Sequence, residues 1–154
     1  MTQEHRGIEG IENEANEDRP HFGAILGFVH EQAPEGQAVI ELVVRPEHCN
    51  RRGVIHGGVL MSLIDAAGLW AGVEKNEGLP SAATVGLNCS FLRGAKLGAT
   101  TSLRAEAAVT RRGRSIHFAS VSVYSLPENN LVATGQGIYS WSASPKPDTS
   151  ATTQ

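Results

Sequence analysis

One segment of this 154-residue chain carries a strong helical repeat, and it constrains what the remainder can do. From about Gly58 to Glu77, residues Leu60, Leu63, Ile64, Ala67, Trp70 and Ala71 recur at steps of three and four and define one apolar face. The other foldable segments read as strands. HFGAILGFVHEQ and QAVIELVVR are β-like runs separated by Ala33-Pro-Glu-Gly36, a turn signal. After Gly78-Leu-Pro80 come ATVGLNCSFL, TTSLRAEAAVT, SIHFASVSVYSL and LVATGQGIYSW. In the third of these, Ile116, Phe118, Val121 and Val123 stand among Ser and His, the mixed alternation of antiparallel strands. Arg111–Arg114 and Pro127–Asn130 supply turns between neighbours. A lone amphipathic helix must bury its face against something, and the strands offer it a sheet. The expected fold is α+β, an antiparallel β-sheet wrapped around one long central α-helix.

The ends differ from this unit. Residues 1–20 are dominated by Glu, Asp and Asn and read as an acidic arm, mobile or briefly helical around Ile8 and Ile11. Residues 143–154 are Ser/Thr/Pro-rich and read as a disordered tail, which leaves 21–142 as the folded domain. At 40% hydrophobic and 19% charged residues the composition is globular, and a net charge of −3 gives no case for nucleic acid. Two cysteines cannot build a disulfide framework, the acidic first residues do not read as a signal peptide, and no run reads as a membrane span. The expected location is the cytoplasm.

The helix begins in NRRGVIHGGVLMSLID, residues 50–65. Gly57 and Gly58 permit close approach to bare backbone where the first N–H groups lack intrahelical partners and the dipole is positive. Such a site stabilises a carbonyl oxygen that gains charge, although a tight turn alone also explains two glycines. Asp65 shares a small, polar face with Ser62, Gly68 and Gly72, suited to close approach of another backbone or a thin ligand. A solvated acid is the plain alternative. Gly57 and Asp65 are eight residues apart, so roughly 12 Å separates them along one helix. A carboxylate and an oxyanion donor must each come within about 3 Å of the reacting group, or one water away. One helix cannot easily do that, whereas two antiparallel helices related by a twofold can.

The pattern Asn50-x-x-Gly53-x-x-His56-Gly57-Gly58-x6-Asp65 resembles the hot-dog-fold acyl-CoA thioesterases, in particular the phenylacetate-pathway (PaaI-like) branch. The likeness continues through Thr84-Val-Gly-Leu-Asn88-Cys-Ser-Phe-Leu-Arg-Gly-Ala95, Gly98 and Gly113-Arg114, about Val39 to Tyr139 in all. It implies hydrolysis of an acyl-CoA, aromatic such as phenylacetyl or hydroxyphenylacetyl, or medium-chain, to free acid and CoA. Asp65 then corresponds to the catalytic carboxylate, as nucleophile or general base. Gly57 corresponds to the residue whose backbone N–H polarises the thioester carbonyl. Asn50 and Thr84 match positions that orient water or the thioester, and His56 matches a positioning histidine. The resemblance further implies sites between subunits, in dimers that pair into tetramers, with no metal or cofactor.

Gly58 and the guanidinium groups of Arg93, Arg111, Arg112 and Arg114 are candidates for contacts with coenzyme A, its phosphates in particular, although turn arginines are often simply solvated. A Cys49–His56 nucleophile lacks any supporting pattern, and His48, Cys49 and His56 are too irregular for zinc. A hot-dog hydratase fits less well, because the Asp-x4-His pattern of one hydratase branch is absent around Asp65. A non-catalytic acyl-CoA-binding or sensing module is the alternative from another class; a binding module does not need a carboxylate beside a thioester.

Overall fold

The computed structural model describes residues 20–73 and 81–142, so the expected acidic arm (all but residue 20) and the expected tail lie outside the described residues. The elements run α1 (Phe22–Leu26), β1 (Phe28–Glu31), β2 (Gln37–Val43), a 3-10 turn (Pro46–His48), α2 (Gly57–Ala71), β3 (Ser81–Phe91), β4 (Ser102–Arg112), β5 (Ile116–Leu126) and β6 (Asn130–Ser142). The six strands pair antiparallel throughout, in the order β1-β2-β4-β5-β6-β3, and α2 lies across one face of this sheet.

Three local readings need correction. The run from His21 is not one strand: His21 Nδ1 accepts from the Ala24 N–H at 3.3 Å and Gly27, at φ 82°, ends the turn that becomes α1. Only Gly tolerates that left-handed conformation cheaply. Arg111 and Arg112 belong to β4 rather than to the turn after it. Helix α2 closes at Ala71 with Gly72 as its cap, short of the expected Glu77, which falls in the undescribed 74–80.

The core forms where the inward residues of the sheet meet the apolar face of α2. Ile40, Leu42, Leu103 and Val123 are fully buried against Leu63 and Ile64, and burying each such side chain contributes about 1.5–3 kcal/mol. Alanines at 105, 107, 119 and 133 keep the sheet surface low, so the helix lies close to it.

Two irregularities change which side chains reach the helix. In β3 the register steps from Thr84↔Tyr139 to Gly86↔Ile138, leaving Val85 as an extra residue, 61% exposed. In β4 it steps from Val109↔Ala119 to Arg111↔Phe118. A bulge of this kind reverses the facing of every residue beyond it. Thr84 and Arg112 are thereby turned to the helix side, where they join Tyr139 and His117 in one row: Thr84↔Tyr139↔His117↔Arg112.

The row explains the small stripe on α2. The expectation was that Gly68 and Gly72 admit a second backbone or a ligand. Instead they admit this chain's own sheet: a side-chain carbon at Gly68 would collide with the Tyr139 hydroxyl, and one at Gly72 with the His117 ring. Alanine at position 68 gains about 1 kcal/mol in helix propensity but overpacks the core by about 1–3 kcal/mol or more. Gly68→Ala is therefore expected to lower the urea midpoint of unfolding, and an unchanged or raised midpoint would contradict this packing.

Candidate active site

The start of α2 is built by three local devices. Asn50 Oδ1 accepts from the backbone N–H of Arg52 at 2.9 Å and of Val54 at 3.2 Å, closing a turn completed by Gly53 at φ 71°. The turn is pinned from outside, since Ile55 N–H donates to Ala95 O and Leu97 N–H to Gly53 O, both at 2.9 Å. His56 is then the N-cap, its Nδ1 accepting from the Gly58 N–H at 2.9 Å. With that nitrogen committed, His56 positions the helix start and its Nδ1 is not available as a base. Gly57 is the first residue of α2, and its N–H has no acceptor among the described residues. This donor sits at the positive end of the helix dipole.

Two turns further on, Asp65 is half-buried and Oδ1 accepts a 2.7 Å hydrogen bond from the Thr84 hydroxyl. Oδ2 makes no hydrogen bond among the described residues. The structure thus brings Asp65 and Thr84 together within one chain. It does not bring Gly57 to them: the space above Gly57 is taken by the Phe91 ring, 3.4 Å from where a side chain there would begin. Phe91 ends β3, and Thr84 lies in the opposite half of the strand. Gly57 and Asp65 therefore address different parts of one edge.

A hollow of ≈ 350 Å³ opens beside Gly57, walled by Val54, Leu60, Phe91, Leu92 and Arg93. A second, ≈ 410 Å³, opens on the other side of the helix start beside His56, Gly58, Cys49 and Phe22. Both are at the low end for small-molecule sites, so neither encloses a coenzyme-sized ligand alone.

The four candidate arginines are dispersed. Arg93 reaches Asn130 Oδ1 at 3.3 Å on the rim of the Gly57 hollow. Arg112 donates to Gly72 O at 2.8 Å and lies 4.5 Å over the Trp141 ring, a helix-capping and stacking role. Arg111 and Arg114 are exposed at the β4–β5 end. The Cys49 thiol faces Arg45 O at 3.9 Å, and burial first, then the Asp65 charge, push the Cys89 thiol up, so neither is set up as a nucleophile. Among the described residues no cluster of three metal-ligating side chains occurs, and no helix is long and apolar enough to cross a membrane.

Sequence reasoning missed Tyr139 and His117. Tyr139 is fully buried, and burial, followed by the Asp65 and Cys89 charges, pushes its phenol well above the ordinary range. His117 Nε2 lies 3.0 Å from Gly68 O, which can only accept, so the imidazole is the Nε2–H tautomer; its buried Nδ1 has no hydrogen-bond partner among the described residues. The one signal in the sequence was an aromatic and a histidine placed among the small and apolar inward positions of β5 and β6.

A six-stranded antiparallel sheet around one main helix, which carries a carboxylate and has an open amide at its start, defines a hot-dog protein. The Thioesterase superfamily profile matches residues 52–131, and the chain belongs to that family; it is a thioester hydrolase. It is 29% identical to acyl-coenzyme A thioesterase 13 of Homo sapiens, over 75% of this chain and 81% of the human protein. Its fold superposes on the E. coli PaaI protein from the phenylacetic acid degradation operon with a TM-score of 0.68 and 26% identity, over 78% of this chain and 83% of the other. Zebrafish thioesterase superfamily member 2 gives a TM-score of 0.69 and 28% identity, over 80% and 88%.

The buried histidines set a pH dependence. His48 and His117 are both held below the ordinary histidine value, by burial first; Arg45 adds to this at His48 and Arg112 at His117, while the Leu26 backbone and Glu47 partly oppose it at His48 and the Gly68 carbonyl at His117. An unfolded chain takes up these protons near the ordinary value of about 6.5, while the folded chain resists until lower pH. Stability is thus complete above that value and falls as the pH drops through it. The urea midpoint is expected to be lower at about pH 5.5 than at about pH 7.5, and an equal or higher midpoint would contradict the assignment.

Proposed function

We propose that this chain hydrolyses an acyl-CoA to free acid and CoA at sites shared by two copies. The observation that carries the reading is the division of labour along β3: Asp65 is held by Thr84 near one end, while the open Gly57 N–H lies at the other. β3 is an edge strand of 11 residues, without a charge or a proline, and Val85, Phe91 and adjacent Leu92 are 61%, 52% and 54% exposed. Edge strands usually carry such blunting residues, so an unblunted one suits pairing with a second strand. Antiparallel pairing of β3 with its copy sets the Gly57 of each subunit opposite the Asp65 of the other. Two such dimers form the tetramer that the family resemblance implies.

At the shared site the Gly57 N–H polarises the thioester carbonyl, and a thioester needs little more than that and a nucleophile. Asp65 either takes the proton of an attacking water, which it then passes to the departing CoA thiolate, or attacks the carbonyl carbon itself. In the second case it expels the thiolate and forms a mixed anhydride that water hydrolyses to the free acid and the regenerated carboxylate, the released proton going to the thiolate. Thr84 holds the carboxylate, Asn50 offers its amide NH2 to water or thioester, and His56 keeps the turn in place. The Gly57 hollow, apolar through Val54, Leu60, Phe91 and Leu92, supports an aromatic acyl group such as phenylacetyl or hydroxyphenylacetyl, or a medium-chain one. Arg93 on its rim is the best placed of the arginines for a CoA phosphate. The two free cysteines suit a cytoplasmic location.

CoA release across a panel of aromatic and medium-chain acyl-CoAs tests this. Turnover is expected on at least one, with Asp65→Asn reducing kcat by at least about 10²-fold. Equal turnover by Asp65→Asn would remove the carboxylate from the mechanism.

A further inference from the structure

The row Thr84↔Tyr139↔His117↔Arg112 does more than fill the space under α2. Each member reaches the helix at its own position. Arg112 Nη2 donates to Gly72 O at 2.8 Å and His117 Nε2 to Gly68 O at 3.0 Å. The Tyr139 hydroxyl lies at a long 3.5 Å from Ile64 O, and Thr84 Oγ1 donates to Asp65 Oδ1 at 2.7 Å. Carbonyls 72, 68 and 64 are one turn apart on a single stripe. Neighbouring strands about 4.8 Å apart and four helical residues advancing about 6 Å are well enough matched for such a ladder. Its two middle members are stacked, with ring centroids 5.0 Å apart, and both are buried.

We propose that Tyr139 and His117 are positioning residues for thioester hydrolysis: they fix the height and rotation of the α2 turn that carries Asp65, and so fix Asp65 against Thr84. This rests on the assignment of Asp65 as the catalytic carboxylate. The Tyr139 hydroxyl occupies the slot left by Gly68 and Gly137, where even a methyl group would clash with it. It is therefore a stop against which the turn rests, carried by the β6 residue that pairs with Thr84. Remove the stop and the turn can settle or rotate, and Asp65 moves relative to a reacting group whose other half is fixed elsewhere. A displacement of about 1 Å in such a group is enough to cost up to about 10²-fold in rate.

The test uses the full chain, five single variants and one double variant, each checked for native circular dichroism and native oligomeric size. Tyr139→Phe keeps the ring and removes only the hydroxyl; kcat is expected to fall about 10-fold or more with KM within about two-fold of the parent. Combined with Thr84→Val, its loss of kcat is expected to be less than multiplicative, since both act through the same carboxylate. His117→Gln, whose amide can still donate to Gly68 O, is expected to retain kcat that His117→Leu loses. Asp65→Asn is assayed beside them. Tyr139→Phe with unaltered kcat, or His117→Gln and His117→Leu with equal kcat, while Asp65→Asn is inactive, overturns the positioning role alone. An active Asp65→Asn overturns the catalytic assignment, and the positioning role falls with it.

Discussion

Helix α2 is held to the sheet by two kinds of contact, and the site depends on both being satisfied together. The apolar contact, Leu63 and Ile64 against Ile40, Leu42, Leu103 and Val123, is strong but non-directional and by itself tolerates sliding. The polar row is directional. Gly68 and Gly72 bring the helix backbone within reach of Tyr139 and His117, and Gly137 leaves room for the Tyr139 hydroxyl between them. A carboxylate whose position matters to about half an ångström needs that second kind of contact.

The bulge in β3 links this row to the edge of the sheet. Without Val85 as an extra residue, Thr84 would face away from the helix and Asp65 would lose its hydroxyl partner. The same insertion leaves a β-branched side chain 61% exposed on a strand that carries no charge, next to the surface where a second copy is proposed to pair. One irregularity thus serves the orientation of Thr84 and marks the edge. The helix start is fixed independently by the Asn50 turn and the His56 cap, so the two halves of the proposed site have separate supports.

The sequence made the helix start legible because its chemistry is local: His56, Gly57 and Gly58 are adjacent, and Asp65 lies on the same element. The strands of the sheet were legible from alternation and turns. The row was not, since it depends on the register of four strands, and two bulges alter that register without any strong local mark. As the β3 bulge hid Thr84's facing, the separate bulge in β4 put Arg112 at the helix end, so of four turn arginines in the sequence one became a helix cap, while Arg93, Arg111 and Arg114 stayed at the surface. The glycine stripe was seen correctly as a surface for close approach, yet the sequence could not say that the approaching group was an inward tyrosine and histidine of the same chain. α1 was hidden because FGAIL is as apolar as a strand, and only the His21 cap and the left-handed Gly27 end it as a helical turn.

The central claim is that neither half of the site works without the other subunit. It is tested by co-expressing Asp65→Asn with Gly57→Pro. Proline suits the first position of a helix, follows the extended His56 (ψ 137°) without strain, and removes the one N–H at issue. Each variant alone is expected to be nearly inactive. In the mixed dimer one site combines an intact Gly57 with an intact Asp65, so a random mixture should recover about a quarter of the parent activity. A mixture of confirmed heterodimers no more active than either variant alone would contradict the shared site.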